Sequence, residues 1–570
     1  MKILGISAYY HDSSAALVVD GCVIAAAQEE RFTRIKHDNL FPANACKFCL
    51  EYAGITLADI DVVVFYEKPF LKFERILRSQ IVSAPKSFAT FIKSMPVWLH
   101  DKLNMRRTIR RELKNVFGCC QNSIKFVEHH LSHAALAFYS SGYEDADIIV
   151  FDAVGESATT SLWSANKDSI TIHEEMHFPN SIGMLYSGFT EFLGFKVNSD
   201  EYKVMGLAPY GNANKPKTER YIQLIRNNIV QLHPDGSFEL NLKYFQFQYG
   251  FHTINRQKFE ALFGIKQREQ SDPISEEYEC IAQAIQLVTT ELIKNVVTRL
   301  HSDNHSNNLC ICGGVALNCA INGILNAQHI YSNIHVPFAP GDCGCAIGAA
   351  IAYAKLNGET IKTVSTPYLG TAFSNDEVLS ILDDSGLQFT RLEDNALCKK
   401  VAQLIASGSI IGWFQGRMEV GPRALGNRSI LANPQIPEMK DKINASIKFR
   451  EAFRPFAPSV MKEYSSEYFA DCSNSPYMMT TYKVRNGVND VPAITHIDRT
   501  ARVQTVSQKD NELYYQLIRE FYNLTGCPML LNTSFNVMGE PIVCTPADAI
   551  KTFKNSGLNY VVIGNYLISK

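Results

Sequence analysis

The amino-acid sequence predicts an α/β protein with two domains. Short and nearly continuous apolar runs, such as DIDVVVFY (59–66) and ADIIVFDAVG (146–155), are typical of buried strands. Helical patterns such as ANACKFCLEYAG (43–54) lie between them, and this alternation indicates an α/β architecture. A chain of 570 residues is also too long for one hydrophobic core, so at least two domains are expected.

The first domain opens with a predicted β-hairpin. KILGIS (2–7) predicts one strand, and AALVVDGCVIAAAQEE (15–30) predicts two more that are joined by an Asp-Gly turn. Further along, apolar periodicity predicts a long helix over 276–300, a strand at NLCICGG (308–314) and a helix over 345–358. These elements continue the α/β alternation to the end of the first domain.

A polar stretch with several Pro and Gly residues, 359–377, marks the predicted domain junction. The strand and helix pattern starts again at SGSIIGWFQG (407–416). We therefore expect a first domain over 1–358 and a second over 366–570. Residues 67–125 hold many Lys and Arg among helical patterns, and the sequence assigns them no chemistry.

The composition is typical of a soluble globular protein. The chain is 46% hydrophobic and 20% charged, and its net charge of −2 gives no overall attraction to nucleic acid or acidic membranes. No window approaches the ~18 apolar residues of a membrane span, and the N-terminal apolar run is too short for a signal peptide. We expect a cytoplasmic protein without a nucleic-acid or membrane partner. The 15 cysteines are scattered and are expected to behave as small buried hydrophobes.

A loop rich in glycine and arginine, GRMEVGPRALGNRS (416–429), predicts an anion-binding site. Glycine lets the backbone approach a ligand, and the planar guanidinium binds two oxygens of a phosphate or carboxylate at once. Further basic and polar residues follow in similar settings within 448–459, 499–507 and 530–541. The candidate anion-binding residues are Arg417, Arg423, Arg428, Lys448, Arg454, Arg502, Asn532 and Ser534.

Three segments of the first domain predict one nucleotide site: 5–21, 151–161 and 312–323. Each combines glycine or small polar residues with a strand end, a hairpin or a helix start, where backbone N–H groups favour phosphate. Their order and spacing resemble the phosphate-1, phosphate-2 and adenosine segments of the ASKHA superfamily, which includes actin, sugar kinases and Hsp70. The candidate nucleotide-binding residues are Gly155, Glu156, Gly313, Gly314 and Asn318.

The segment EHHLSHAA (128–135) predicts a metal site. His129 and His133 are four residues apart, so on a helix they share one face. Asp152 ends an apparent strand, and Asp342 lies at a strand-to-helix turn. Two histidines plus carboxylates are typical of a mononuclear Fe(II) site, although these ligands also admit Zn or Mn. A chance pair of surface histidines is the alternative.

Eight segments in order along nearly the whole chain resemble the O-carbamoyltransferase family, which includes the nodulation protein NodU and the cephamycin and tobramycin carbamoyltransferases. These segments are HHLSHAA, EYKVMGLAPYG, CGGVALN, APGDCGCAIGAA, GRMEVGPRALGNRSILANP, KFREAFRPFAPS, TARVQTVS and LNTSFNVMGEPIV. The resemblance implies a duplicated ASKHA-type (actin/Hsp70-like) transfer domain followed by a YrdC-like α/β domain. Ala153 and Arg499 stand where family members commonly carry glycine, and neither change removes a motif residue.

The resemblance also implies a two-step reaction. The YrdC-like domain forms carbamoyl-adenylate from carbamoyl phosphate and ATP, with Mg-ATP as cosubstrate. The ASKHA-type domain, with its metal, transfers the carbamoyl group to a hydroxyl of a small molecule such as an antibiotic, a sugar or a toxin. His11 beside Asp12 is the candidate general base, and Lys36 is a candidate for stabilising charge. Ordinary turn and surface roles are the alternative for His11 and Lys36.

Other functions fit the sequence less well. A small-molecule kinase of the ASKHA type would not need the C-terminal arginines, and a non-catalytic nucleotide-binding protein would not need both sites. Threonylcarbamoyl-type tRNA modification would need an RNA-binding surface that the balanced charge does not indicate. The acceptor is undefined, although the segment 178–203 is expected to border its pocket. The expected partners are small molecules only, and a homodimer stays open.

Overall fold

The computed structural model describes residues 1–97, 103–303, 305–451, 453–487 and 491–570. The chain divides into two compact units. The first comprises Met1–Tyr10, Ser14–Ile24 and Leu40–Ser365, and the second comprises His11–Ser13, Ala25–Asn39 and Thr366–Lys570. The boundary after Ser365 lies inside the predicted junction. Two short segments that the sequence analysis assigns to the first domain fold with the second unit instead.

In the part of the chain that the structure describes, the first unit is built on two five-stranded sheets with the same strand order, although the last four residues of one strand, 25–28, are assigned to the second unit. One has the order β3-β2-β1-β4-β5, with strands β1 (Lys2–Ser7), β2 (Ser14–Val19), β3 (Cys22–Gln28), β4 (Val62–Phe65) and β5 (Ser123–Phe126). The other has the order β8-β7-β6-β11-β12, with strands β6 (Asp145–Phe151), β7 (Ala158–Asn166), β8 (Ile170–His177), β11 (Asn308–Cys312) and β12 (Asn333–His335).

The strand directions repeat as well. β1 is antiparallel to β2 and parallel to β4, and β6 is antiparallel to β7 and parallel to β11. The predicted α/β class with a duplicated core in the first domain is therefore confirmed. A small hairpin of β9 (Val230–Leu232) and β10 (Phe238–Leu240) lies outside the two sheets.

The helices of the first unit surround these sheets. They are α2 (Ala43–Tyr52), α3 (Pro69–Val82), α4 (Phe88–Val97), α5 (Met105–Phe117), α6 (His129–Ser141), α7 (Ile182–Phe192), α8 (Glu201–Leu207), α9 (Pro216–Asn228), α10 (Arg256–Phe263), α11 (Glu276–His301), α12 (Cys319–Ala327) and α13 (Cys345–Leu356). α6 packs on β6 and β11, α13 packs on β1 and β2, and the two helices pack against each other. Among the described residues, none of the helices combines the length and apolar character needed to cross a bilayer.

Over its described residues, the second unit is built on one mixed eight-stranded sheet with the order β13-β22-β21-β14-β15-β20-β16-β19. The strands of this unit are β13 (Phe389–Arg391), β14 (Ile411–Phe414), β15 (Arg428–Ala432), β16 (Ala457–Met461), β17 (Thr481–Lys483), β18 (Thr500–Arg502), β19 (Gln504–Val506), β20 (Met529–Ser534), β21 (Tyr560–Ile563) and β22 (Tyr566–Ser569). Its helices are α1 (Glu30–Thr33), α14 (Asn375–Ser385), α15 (Asp394–Ala406), α16 (Met439–Ile443), α17 (Ser465–Tyr468), α18 (Glu512–Thr525) and α19 (Pro546–Lys554). Its apolar core is continuous and includes Trp413, Tyr514 and Phe535.

Candidate functional site

The first turn of α6 carries both predicted histidine ligands into the interior of the first unit. Glu156 Oε1 accepts hydrogen bonds from the backbone N–H of His129, at 2.9 Å, and of Lys68, at 2.8 Å. This carboxylate satisfies an N–H group that the start of a helix would otherwise leave unpaired. His129 and His133 then lie one turn apart with almost no exposure to solvent. The predicted nucleotide ligand Glu156 thus fixes the element that bears the histidines.

A close approach of α13 to α6 brings the remaining groups to these histidines. A Cβ atom on Gly348 would lie 1.8 Å from the carbonyl oxygen of Ser132, so only glycine fits at this crossing. Asp342 lies in the turn just before α13, and Cys345 is the first residue of the helix. The N-terminal end of α13 therefore faces the histidines of α6.

Four buried side chains converge in a single cluster. His129 Nε2 and His133 Nε2 are 3.1 Å apart, and Asp342 Oδ1 is 3.7 Å and 3.6 Å from these two nitrogens. Cys345 Sγ is 3.4 Å from His133 Nε2. The four ligand atoms all lie within 4.8 Å of one another. We refer to His129, His133, Asp342 and Cys345 as the metal cluster.

Asp152, the fourth predicted ligand, lies at the edge of this cluster. Its Oδ2 is 2.9 Å from His129 Nε2 and 4.0 Å from His133 Nε2. Burial alone raises the pKa of this carboxyl, but the hydrogen bond from His129 and the neighbouring imidazoles lower it well below its ordinary value. Asp152 therefore stays ionised beside the histidines.

The geometry of the metal cluster suits a first-row transition ion. Ligand atoms at bond lengths of about 2.0–2.3 Å from a tetrahedral ion lie roughly 3.3–3.8 Å apart. Four of the six separations between the ligand atoms are 3.1–3.7 Å, which is close to this range, and all six are within 4.8 Å. Two imidazole nitrogens, a carboxylate oxygen and a sulfur form a donor set for Fe, Zn or related ions rather than for Mg or Ca. The cluster could therefore hold a metal ion.

The remaining predicted nucleotide-binding residues lie around the same strand ends. A Cβ on Gly313, whose φ is 90°, would lie 2.1 Å from the carbonyl oxygen of Phe151. Gly314 faces the Asp152 carboxylate, and Gly155 lies against the rings of His129 and His130. The lack of a side chain at each position lets the backbone come close to these groups. Asn318 is engaged structurally, because its side chain accepts from the N–H of Ile321 at the start of α12 and pairs with Gln286.

The candidate base His11 belongs to a hydrogen-bonded group in the second unit. His11 Nδ1 and His37 Nδ1 lie 3.1 Å and 2.8 Å from the two carboxylate oxygens of Asp12. Burial alone raises the pKa of Asp12, but the hydrogen bonds from both histidines lower it well below its ordinary value. An ionised carboxylate only accepts, so both Nδ1 atoms donate to it. Lys36 is exposed and next to His37 in the chain.

In the second unit, a buried glutamate organises the predicted anion loop. Glu419 Oε1 accepts hydrogen bonds from the backbone N–H groups of Leu425, Asn427 and Arg428 at 2.7–3.2 Å. The Arg428 guanidinium is fully buried, stacks on Phe414 at 3.6 Å and donates to backbone carbonyls that include those of residues 371 and 416. Burial lowers the pKa of Arg428 to about 10. Its terminal nitrogens therefore hold the loop together, which is not the anion contact that the sequence predicts.

Lys448 and Ser534, two of the predicted anion ligands, lie in contact with each other. Lys448 Nζ lies 2.5 Å from the Ser534 carbonyl oxygen, 3.2 Å from its hydroxyl, and 2.7 Å from Asn536 Oδ1. Burial, together with the charges of Arg450 and Arg454, lowers the pKa of Lys448 well below its ordinary value. An anion bound nearby would therefore stabilise the charged form of the Lys448 amine.

The other predicted anion ligands are spread over several elements of the second unit. Asn532 is buried, and its side-chain amide donates to Ser459 Oγ at 2.9 Å. Arg417 donates to the carbonyl oxygens of residues 369 and 370. Three further arginines are half-buried. Arg423 lies in the anion loop, Arg454 lies just before β16, and Arg502 is the last residue of β18.

Sequence reasoning missed three residues of these sites. Cys345 was grouped with the structural cysteines, because a C-x-C pair in an apolar run looks like ordinary core. His37 directly follows the candidate Lys36, but its contact with Asp12 spans 25 residues and has no periodic signal. Glu419 is the one acidic residue in the loop GRMEVGPRALGNRS. A single acid among glycines and arginines could have indicated that it organises the loop.

Two sequence families cover most of this chain. The family described as "Carbamoyltransferase N-terminus" matches residues 2–351, and the one described as "Carbamoyltransferase C-terminus" matches residues 402–570. The chain belongs to the carbamoyltransferase family. The predicted resemblance is confirmed, and the protein is a carbamoyltransferase.

Individual relatives are similar over nearly the full length. The uncharacterized protein sll1178 of Synechocystis sp. is 44% identical over 600 residues, which cover 100% of this chain and 96% of that protein. The nodulation protein NolNO of Sinorhizobium fredii is 37% identical over 577 residues, which cover 99% of this chain and 79% of that protein. Among solved structures, full-length HypF in the phosphate- and nucleotide-bound form is 11% identical, with a TM-score of 0.33, over 63% of this chain and 56% of that chain.

Proposed function

We propose that this carbamoyltransferase uses ATP and carbamoyl phosphate to make carbamoyl-adenylate and then carbamoylates a hydroxyl group of a small molecule. The observation that carries the proposal is the presence of two differently built sites in one chain. The first unit has a buried cluster of side chains that could hold a metal ion, and the second has the buried cation Lys448 beside Ser534 and several half-buried arginines. A single-step kinase would need only one of them.

The first half-reaction is assigned to the second unit. Carbamoyl phosphate and water give carbamate and phosphate, and a carbamate oxygen then attacks the α-phosphorus of ATP, with release of pyrophosphate. Two polyanions must be held in register, so fixed cations supply most of the rate enhancement. We assign this binding to Arg423, Arg454 and Arg502, with Lys448 as a further, buried cation. Arg417 and Arg428 hold the loop through backbone carbonyls, and Mg-ATP is the proposed cosubstrate.

The second half-reaction joins the carbamoyl group to the acceptor. The acceptor oxygen attacks the carbamoyl carbon. The bond between this carbon and the adenylate oxygen then breaks, and AMP leaves. His11 Nε2 is the proposed acceptor of the hydroxyl proton, since Asp12 holds the Nδ1–H and stabilises the imidazolium that forms. Lys36 is proposed to stabilise negative charge that develops in this step.

We assign metal binding to His129, His133 and Asp342, with Asp152 as a further ligand or hydrogen-bond partner. A bound ion would supply Lewis-acid stabilisation of the adenylate phosphate. Fe(II) is the proposed ion, and Zn or Mn are the alternatives. We propose that the adenylate contacts the backbone at Gly155, Gly313 and Gly314. Each of these glycines lies close to a strand end, near the histidines or Asp152.

The partners that we propose are small molecules: carbamoyl phosphate, ATP and a hydroxylated acceptor of the antibiotic, sugar or toxin type. The segment 178–203 stays the proposed border of the acceptor pocket. It contains all of α7, which is largely buried, and the first three residues of α8, which are half-buried.

Exchange of labelled pyrophosphate into ATP tests the proposal. Wild-type protein should exchange only when carbamoyl phosphate is present. Arg423→Ala and Arg454→Ala should abolish exchange and leave the metal content unchanged, because removing a charged partner of a phosphate costs about 1.5–3 kcal/mol or more. Arg519→Ala, on an exposed position of α18, is the matched control and should exchange normally. Normal exchange in both site variants would rule out the assignment.

A further inference from the structure

The first unit exposes an unusual group of large apolar side chains on α3, α4 and a nearby loop. Six of them are 56–75% exposed, and we refer to them as the α3–α4 surface: Phe70, Ile81, Val82, Phe88, Ile92 and Phe251. Single exposed apolar residues are ordinary on a soluble protein, whereas a group of this kind marks a contact surface.

Hydrogen bonds join these elements into one structure. Thr90 Oγ1 on α4 donates to the carbonyl oxygen of Tyr249 at 2.9 Å, and Ser79 Oγ on α3 donates to that of Gln248 at 3.0 Å. The Lys93 ammonium lies 4.8 Å from the centre of the Phe251 ring, and the Lys86 ammonium lies 5.7 Å from that of Tyr249. Cations therefore border the apolar side chains at the same place.

The charge of this part of the chain is strongly one-sided. Residues 68–117 contain 12 Lys and Arg against 3 Asp and Glu, a net charge of +9, whereas the whole chain carries −2. On α5, Arg107, Arg110, Arg111 and Lys114 are exposed. Averaging over 570 residues hides this segment, which explains why the net charge alone predicts no membrane partner.

We propose that the α3–α4 surface docks on a membrane surface that contains anionic lipids. Apolar side chains would enter the boundary between headgroups and acyl chains, and the lysines and arginines would bind the headgroups. This binding is peripheral and separate from carbamoyl transfer. It would place the enzyme where amphiphilic molecules concentrate.

The charge distribution favours lipid over a second copy of the chain. A two-fold dimer through this surface would bring Lys86 and Lys93 of both copies to the interface, where like charges would repel each other. An anionic membrane complements both the apolar and the basic residues. Nucleic acid would complement the cations alone and would leave six large apolar side chains without a partner.

Co-sedimentation of the full-length protein with vesicles tests this proposal. We expect binding to phosphatidylcholine vesicles that contain about 30% phosphatidylserine, and little binding to pure phosphatidylcholine. Binding should weaken as NaCl rises from about 0.05 to 0.5 M, because salt screens the charges. The double variant Lys86→Glu/Lys93→Glu should bind at least about tenfold more weakly.

Apolar variants separate the insertion of side chains from electrostatics. Val82→Ser/Phe88→Ser should lose vesicle binding at all salt concentrations. Leu356→Ser/Leu524→Ser is the matched control, since both leucines are exposed but lie elsewhere, and its binding should match the wild type. Thermal unfolding verifies that each variant is folded.

Two results would overturn the proposal. One is the absence of binding to anionic vesicles by folded wild-type protein. The other is a concentration-dependent dimer in analytical ultracentrifugation that Val82→Ser/Phe88→Ser abolishes while vesicle binding is unchanged. In that case the α3–α4 surface serves a second copy of the chain.

Discussion

The Asp12 carboxylate accepts a hydrogen bond from His37 Nδ1 at 2.8 Å, and both residues have a left-handed backbone, with φ of 52° and 58°. Non-glycine residues adopt this conformation at an energetic cost and are often found at functional sites. The two loops are also joined by the hydrogen bond from Ser13 N–H to the Asp38 carbonyl oxygen at 2.8 Å. The carboxylate between His11 and His37 is therefore held firmly.

Acid should weaken the fold through Asp12. Partnering lowers the pKa of this carboxyl below the ordinary value of about 3.9, so its contribution to stability is present above that pH and is lost as the pH falls through the lower value. Wild type should be about 1–2 kcal/mol more stable than Asp12→Asn near neutral pH. Urea unfolding should show the difference shrinking below about pH 4. Asp384→Asn, at an exposed position, should have no effect, and a difference that does not change with pH would contradict the prediction.

Replacement of the two histidines should separate the base from its positioning partner. His11→Asn should lower carbamoyl transfer by about 10²–10⁴ while pyrophosphate exchange continues. His37→Asn keeps an N–H donor near Asp12 and should transfer at nearly the wild-type rate, whereas His37→Leu removes it.

The pH profile of His37→Leu should carry the signature of a positioning role. Without His37, the Asp12 charge acts on His11 alone and stabilises its imidazolium, so the acidic limb of the profile should move to higher pH. If His37→Asn loses as much activity as His37→Leu, then His37 transfers protons itself.

Metal substitution should reveal whether sulfur is a ligand. The Co(II) form of the wild type should show a sulfur-to-cobalt charge-transfer band, and Cys345→Ser should lose the band while retaining cobalt. Cys312→Ser is the matched control, because Cys312 Sγ lies 3.7 Å from His133 Nδ1 and not at the Nε2 side of the ring. His133→Ala should lose the metal altogether. A wild-type spectrum without this band would exclude Cys345 as a ligand.

Adding one methyl group at Gly348 should disturb the metal cluster from a distance. Alanine for glycine within a helix normally stabilises it by about 0.5–1 kcal/mol. Here the new Cβ would overlap the Ser132 carbonyl, so we expect a loss of roughly 1–3 kcal/mol or more and weaker metal binding. Calorimetry and metal analysis measure the two effects. An unchanged or raised melting temperature would show that α6 and α13 can separate without consequence.

Local sequence pattern predicted most individual elements because the pattern reports burial directly. The hairpin strands, the 26-residue α11 and the strand Asn308–Cys312 all lie where apolar periodicity placed them. The matching strand orders of the two sheets depend on pairing between distant segments, and only the family resemblance implied them. The assignment of Ala25–Asn39 to the second unit likewise rests on contacts that no local pattern encodes.

The candidate site was predictable where spacing determines direction. His129 and His133 face one point because four residues make about one helical turn. The role of Arg428 was not predictable, since a guanidinium in a glycine-rich loop bonds equally well to a ligand oxygen or to a backbone carbonyl. The choice depends on which carbonyls the fold brings within reach of the guanidinium, and here those of residues 371, 415, 416 and 427 accept from it.

The assignment of His11–Ser13 and Ala25–Asn39 to the second unit means that the chain crosses between the units five times. Arg31 donates to the Gly421 carbonyl at 2.7 Å, and Arg34 donates to those of Pro541 and Ile542 at 2.8 and 2.6 Å. A fragment that starts at residue 366 would lack these donors, so neither unit can be expressed as one uninterrupted piece. During synthesis, residues 25–39 must wait for more than 500 further residues before their bonds to Pro541 and Ile542 can form. The second unit therefore completes its fold only with segments from the N-terminal part of the same chain.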